Sequence, residues 1–212
     1  MFPKPTDAIQ VAMAGGLAFL AGATDVHGLT LLRDLFVSFM SGNSTMLGVA
    51  IARGDFERAG KIAGIIAMFV AGATAGSLIA TLVGPRHTVA VLLIVTVLLA
   101  LPMLAPQWSI PFLVVAMGLL NAAMHRAGAT GISLTYVTGA LVKFGQGLGL
   151  LLSRRQEDAS WWKQGVLWAC LLTGAAAAAV LELRVGTGIV WTLPALAAVL
   201  TIAAALQGPR LD

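Results

Sequence analysis

Two ionisable side chains of this chain lie within apolar stretches. Asp25 lies inside an apolar run that begins at Ala8, and Lys143 stands between Val142 and Phe144. If these stretches cross a membrane, each charge costs about 2.5–3.5 kcal/mol on insertion scales and normally faces a cavity or a partner. Asp25 is therefore predicted to titrate or to bind a cation. Lys143 is predicted to neutralise Asp25 or to receive an anionic group.

Both charges also have a simpler interpretation. Asp25 could cap its helix or pair with Arg33. Lys143 could extend its long aliphatic side chain until the ammonium group reaches the membrane surface. The sequence leaves these alternatives open.

A polar motif, SFMSGNSTMLG over residues 38–48, interrupts the apolar sequence. On a helix, Ser38, Ser41 and Thr45 would share one face, because they stand at positions i, i+3 and i+7. The amide of Asn43 needs several hydrogen-bond partners, so it must meet a polar group, water or a ligand. Ser38, Ser41 and Asn43 are therefore predicted to bind a solute. Alternatively, the hydroxyls bond backbone carbonyls and the glycines let helices pack closely.

The motif recurs in the second half of the chain. TYVTGALVKFG, residues 135–145, aligns with it at an offset of 97, and GLLN, residues 118–121, aligns with GATD, residues 22–25, at an offset of 96. Gly72 aligns with Gly174 at an offset of 102. Many transporters are built from such duplications, with the site between the halves. The second half is therefore predicted to supply four ligands to the same site: Asn121, Thr135, Tyr136 and Thr138.

His27 and His125 follow Asp25 and Asn121 at near-equivalent positions. Histidine titrates near neutral pH, so both are predicted to relay protons, although each could equally lie at the membrane surface without such a role.

Neither a metal site nor a cofactor is predicted, since no cluster of His or Cys completes a ligand set. No enzyme motif stands out, and an intramembrane hydrolase using Ser41, His27 and Asp25 is a less favoured alternative.

The composition is that of a membrane protein. Of the 212 residues, 58% are hydrophobic and 10% are charged, whereas soluble domains have about 25% charged residues. The formal charge is +4, but the basic residues are scattered in short loops, so no nucleic-acid surface is predicted. Cys170 is the single cysteine, which excludes an intrachain disulfide.

The predicted fold is an all-α membrane protein of about eight transmembrane segments in two parallel four-span repeats, residues 1–106 and 107–212. The predicted spans are 8–31, 34–53, 59–83, 88–105, 108–126, 131–153, 160–182 and 187–207. Alternatively, the two motif segments are re-entrant, which leaves six spans and inverted repeats.

The basic residues predict that both termini are cytoplasmic. Eight of them would then lie inside and four outside. The inside set is Lys4, Arg53, Arg58, Lys61, Arg154, Arg155, Lys163 and Arg210, and the outside set is Arg33, Arg86, Arg126 and Arg184.

Four stretches resemble the paired signatures of the YoaK-type family of small bacterial integral membrane proteins, a domain-of-unknown-function family. They are AGATDVHG, FVSFMSGNSTMLG, LLNAA and TYVTG. The resemblance covers nearly the whole chain and implies a multi-pass protein of the bacterial inner membrane.

The predicted function is that of a transporter or channel-like permease for a small polar solute, with or without coupling to H⁺ or a cation. The alternative is a structural or partner-binding membrane protein whose polar motifs only hold helices together. The predicted partners are the lipid bilayer and the solute, and a homodimer is left open.

Overall fold

The computed structural model describes residues 5–84, 86–124, 137–154, 160–186 and 189–207, and these residues are helical apart from short connections. Eight α-helices occur in this part of the chain: α1 Pro5–Leu32, α2 Met40–Ala52, α3 Phe56–Val83, α4 His87–Ala100, α5 Ser109–Met124, α6 Val137–Leu152, α7 Trp162–Val185 and α8 Ile189–Gln207. Two short 3₁₀ turns, Leu101–Met103 and Pro106–Trp108, join α4 to α5.

Four helical stretches are long and apolar enough to cross a bilayer: Ala8–Leu32, Phe56–Val83, Trp162–Val185 and Val190–Gln207. Local signals set their ends. The Asp55 carboxylate accepts a hydrogen bond from Arg58 N at 3.0 Å and caps the start of α3. Gly84 and Gly186, with φ of 67° and 60°, end α3 and α7 in a conformation that favours glycine. The prediction of an all-α, membrane-spanning protein is confirmed.

The long helices pack in pairs through glycines. α1 lies against α7, where Gly22 faces the backbone of Leu171 and Gly174 faces the backbone of Phe19. Along the whole interface the residue numbers rise together, from Gly15 beside Cys170 to His27 beside Glu182, so the two helices are parallel. α3 packs against α5 in the same way, while α4 packs against α8. Glycine allows this close approach of backbones, as is common between membrane helices.

The segment predicted as a span over residues 34–53 is not one continuous helix. Its helix, α2, has 13 residues and follows a loop, residues 33–39, in which Ser38 N bonds back to the Asp25 carboxylate of α1. Asp34, just after α1, forms an ion pair with Arg58 in the first turn of α3. The end of α1 and the start of α3 therefore lie at one end of the bundle, so Arg33 is on the same side as Arg53 and Arg58. This ion pair opposes their predicted placement on opposite sides.

The described part of the predicted span 131–153 is also short. α6 begins beside the middle of α7, where Val137 and Leu141 share a cavity with Leu171 and Ala175. Its midpoint lies beside the start of α7, where the Phe144 ring lies 5.5 Å from the ring of Trp161 and Gly147 faces the same tryptophan. α2 and α6 are thus two short helices that each begin at depth and end near a surface.

Candidate functional site

The Asp25 carboxylate binds the loop that connects α1 to α2, residues 33–39. Its Oδ1 accepts hydrogen bonds from Val37 N at 3.1 Å and Ser38 N at 2.8 Å, and its Oδ2 accepts one from the Ser38 hydroxyl. These donors stabilise a carboxylate at a depth where water is scarce. Asp25 therefore fixes the 33–39 loop, and no described contact joins it to Arg33 or Lys143.

Asn43 fixes the same loop from the other side. Its Oδ1 accepts a hydrogen bond from Phe36 N at 2.9 Å, and its Nδ2 donates to Phe36 O at 2.7 Å. The side chain is completely buried, with 0% exposure. The prediction that its amide must meet polar partners is confirmed: two of them are backbone groups of Phe36, and Nδ2 also lies 3.6 Å from Met40 Sδ.

A cavity of about 330 Å³ lies between α1, the 33–39 loop, α6 and α7. Its polar lining consists of Asp25, Ser38 and Thr138. Its apolar lining consists of Gly22, Val26, Leu29, Phe36, Phe39, Val137, Leu141, Leu171 and Ala175. The structure thus brings together predicted site residues from both halves of the chain in one mainly apolar chamber.

His27 belongs to a separate cluster at the last turns of α1 and α7. Its Nδ1 lies 2.9 Å from Glu182 Oε1, and the Thr30 hydroxyl donates to Glu182 Oε2 at 2.6 Å. The His27 side chain is 6% exposed and that of Glu182 16%. The cluster joins α1 to α7 and holds two groups that can exchange a proton.

Other predicted ligands lie elsewhere. Ser41 is exposed on α2, and Asn121 Nδ2 donates to Met117 O of its own helix at 2.8 Å. Lys143 is exposed on α6 and forms no ion pair with Asp25 in the described part of the chain. Three predicted residues lie outside the described residues: His125, Thr135 and Tyr136.

Two predictions about side-chain geometry are corrected. Ser38, Ser41 and Thr45 do not share a helical face, because α2 begins at Met40 and Ser38 belongs to the preceding loop. Ser41, His27 and Asp25 do not meet as a hydrolase would require, because His27 contacts Glu182 and Asp25 contacts Ser38.

Three residues of these sites were not predicted from the sequence: Glu182, Phe36 and Phe39. Glu182 falls at the end of its predicted span, where acidic residues are common. The presence of a carboxylate next to a long apolar stretch could still have indicated a functional residue. The two phenylalanines read as ordinary apolar residues. Among the described residues, no group of three or more His, Cys, Asp or Glu side chains could hold a metal ion.

Comparison with known proteins gives two matches. The model of the family described as "Protein of unknown function (DUF1275)" matches residues 13–203. A UPF0700 transmembrane protein of Rhizobium meliloti (strain 1021) is 39% identical over 205 residues, which cover 95% of this chain and 88% of that protein. No solved structure matches.

Proposed function

We propose that this chain, which belongs to the DUF1275 family of transmembrane proteins, is a permease that carries a small solute through the cavity beside Asp25. One observation carries the proposal: the loop before α2 and the first turn of α6 line a single cavity together with Asp25. Secondary transporters commonly bind their substrates near the bilayer midplane, between repeats and beside interrupted helices. Irregular backbone at that depth is tolerated only where it is buried in protein or lines a cavity.

Equivalent contacts in the two halves support an internal repeat. Gly22 of α1 packs on the backbone of Leu171 in α7, and Gly118 of α5 packs on the backbone of Phe69 in α3. The offset of 96 relates the two glycines, and the offset of 102 relates Phe69 to Leu171. The α1–α7 contact is thus the counterpart of the α5–α3 contact. We infer that residues 1–106 and 107–212 are structural repeats.

The contacts of α2, rather than helix length, favour inverted repeats over the parallel arrangement, since α4 has only 14 residues. With α2 and α6 re-entrant, each half has three spans, namely α1, α3 and α4 in the first half and α5, α7 and α8 in the second. An odd number of spans reverses the second half relative to the first. The parallel arrangement required α2 to cross the membrane, which the pairing of Asp34 with Arg58 opposes.

Six spans keep both termini on one side, and we propose that this side is the cytoplasm of a bacterial inner membrane. Seven basic residues then lie inside and five outside, a smaller bias than eight spans would give but of the same sign. The inside set is Lys4, Arg86, Arg126, Arg154, Arg155, Lys163 and Arg210. The outside set is Arg33, Arg53, Arg58, Lys61 and Arg184.

The cavity suggests distinct roles for the polar groups. Asp25, Ser38 and Thr138 face the solute, while Asn43 holds the loop that carries Phe36 and Phe39. The paired His27 and Glu182 are the proposed site for coupling to protons, because their ring nitrogen and carboxylate can share one.

A structural role is the second candidate function, and the bonding of Asp25 and Asn43 favours it. Both side chains form hydrogen bonds with backbone groups of the 33–39 loop, as side chains with a purely structural role would. A structural role explains the hydrogen bonds to the 33–39 loop, but it does not explain why the loop and α6 line a cavity.

Water access to Thr138 distinguishes the two functions. A cysteine at this position, introduced as Thr138→Cys in a Cys170→Ser background, is expected to react with a membrane-impermeant thiol reagent, because a solute pathway must be hydrated from at least one side. Labelling is measured with the reagent added to each side of sealed vesicles. The control is Ala116→Cys in the same background, since Ala116 is fully buried in α5. Equal inertness of the two cysteines would contradict the permease.

A further inference from the structure

The lining of the cavity beside Asp25 limits which solutes it can hold. Twelve of the described residues line it; Asp25 is the one ionisable residue among these twelve, and nine of them are apolar. The rings of Phe36 and Phe39 meet edge to face, with their centroids 5.4 Å apart. A volume of about 330 Å³ is at the small end of ligand pockets, which run from about 300 to 1,000 Å³. The solute must therefore be compact and largely apolar.

An anion does not suit this lining. The donors nearest to the carboxylate, namely Val37 N, Ser38 N and the Ser38 hydroxyl, already bond to Asp25. An anionic group would meet the Asp25 charge in an apolar chamber, where repulsion between like charges is poorly screened. Lys143, the predicted anion receptor, does not line the cavity.

A protonated amine suits the lining well. An ionised carboxylate offers about four lone-pair positions, and the described contacts of Asp25 use three of them. One position on Oδ2 remains to accept a hydrogen bond from an ammonium group. The faces of aromatic rings such as Phe36 and Phe39 attract cations as well. An inorganic ion would need about six oxygen ligands, whereas the lining offers three polar side chains.

We propose that the solute is a small organic amine, bound as its ammonium form by Asp25 with its apolar body among the phenylalanines. This inference rests on the proposed function, since it names the solute class of the same cavity.

Three probes of similar shape test the charge preference: 2-phenylethylamine, 2-phenylethanol and 3-phenylpropanoate. Their binding to the purified protein in nanodiscs is measured by calorimetry at neutral pH. The amine is expected to bind about ten- to a hundredfold more tightly than the alcohol, the range of a charge-assisted hydrogen bond. The carboxylate is expected not to bind.

Asp25→Asn should lower the affinity for the amine to that for the alcohol, because the amide carries no charge while its oxygen can still accept from Val37 N and Ser38 N. Asp34→Asn is the matched control, since Asp34 is a carboxylate outside the cavity, and it should keep the preference. If Asp25→Asn does not fold, Phe39→Leu is used instead, because it keeps the carboxylate and removes one aromatic ring. It should weaken binding of the amine by about two- to fivefold without weakening binding of the alcohol.

Thr138→Phe, which fills the cavity, separates failure of this inference from failure of the permease. Equal binding of amine and alcohol, both abolished by Thr138→Phe, would overturn the amine while leaving the cavity as a solute site. Tighter binding of 3-phenylpropanoate than of 2-phenylethylamine would also overturn the amine and leave the cavity as a solute site. If no probe binds, the proposal that the solute is an amine is overturned. The labelling of Thr138→Cys then tests the proposed permease function independently.

Discussion

Gly174→Ala is expected to destabilise the protein severely, because a β-carbon at this position would overlap the carbonyl oxygen of Phe19. The obstacle is backbone in the middle of α1, so the overlap is relieved only if α1 and α7 move apart. Overpacking of this kind costs about 1–3 kcal/mol, and more where the neighbour cannot shift. Thermal unfolding of the purified variant in detergent should show a much lower Tm or a loss of folded material.

The repeat supplies a second test of the same packing. Gly72→Ala should have a similar effect, because its β-carbon would overlap Val115 O in α5. Gly64→Ala is the matched control: it also lies within α3, but a β-carbon there would have no neighbour within 4 Å. Alanine is the better helix former by about 0.5–1 kcal/mol, so Gly64→Ala should be neutral or stabilising. An unchanged Tm in Gly174→Ala would contradict the close contact of α1 with α7.

Asn43→Ala is expected to have the second largest effect on stability. It deprives Phe36 N and Phe36 O of their partners at 2.9 and 2.7 Å. Each buried polar group left unsatisfied costs about 1–3 kcal/mol. The 33–39 loop should then lose its fixed shape, which lowers the Tm and weakens binding in the cavity, since Phe36 is part of its lining.

Thr45→Ala is the control for Asn43→Ala. Thr45 is an exposed residue of the same helix, and its hydroxyl bonds only Ser41 O at 3.1 Å. Its loss should change stability by no more than about 0.5 kcal/mol. If Asn43→Ala unfolds at the same temperature as Thr45→Ala, the Asn43 amide does not hold the loop.

The class of protein and its key polar residues could be predicted from the sequence. Burial of Asp25 and Asn43 in apolar stretches is costly, so each had to have strong partners, and each does. The identity of those partners could not be predicted. They are backbone groups of the 33–39 loop, which come within reach only because the chain turns back after α1, and no side-chain pattern specifies that turn.

The number of spans depended on a distinction that hydropathy does not make. A full span and a loop followed by a short helix both appear as an apolar stretch of about 20 residues. The repeat could be found from its offsets, but its orientation depends on whether residues 34–53 cross the membrane. The ion pair between Asp34 and Arg58 bears on this point, and a pair of surface charges 24 residues apart cannot be deduced from one sequence.

The central claim is that α2 enters and leaves the membrane on one side, which brings the first-half motif to the cavity. It is tested most directly by the sidedness of three single cysteines, introduced as Asp34→Cys, Glu57→Cys and Arg86→Cys in a Cys170→Ser background and labelled with an impermeant reagent in sealed vesicles of known orientation. We expect residues 34 and 57 to react from one side and residue 86 from the other. Reaction of residues 34 and 86 from one side, with residue 57 on the opposite side, would restore eight spans and contradict the account.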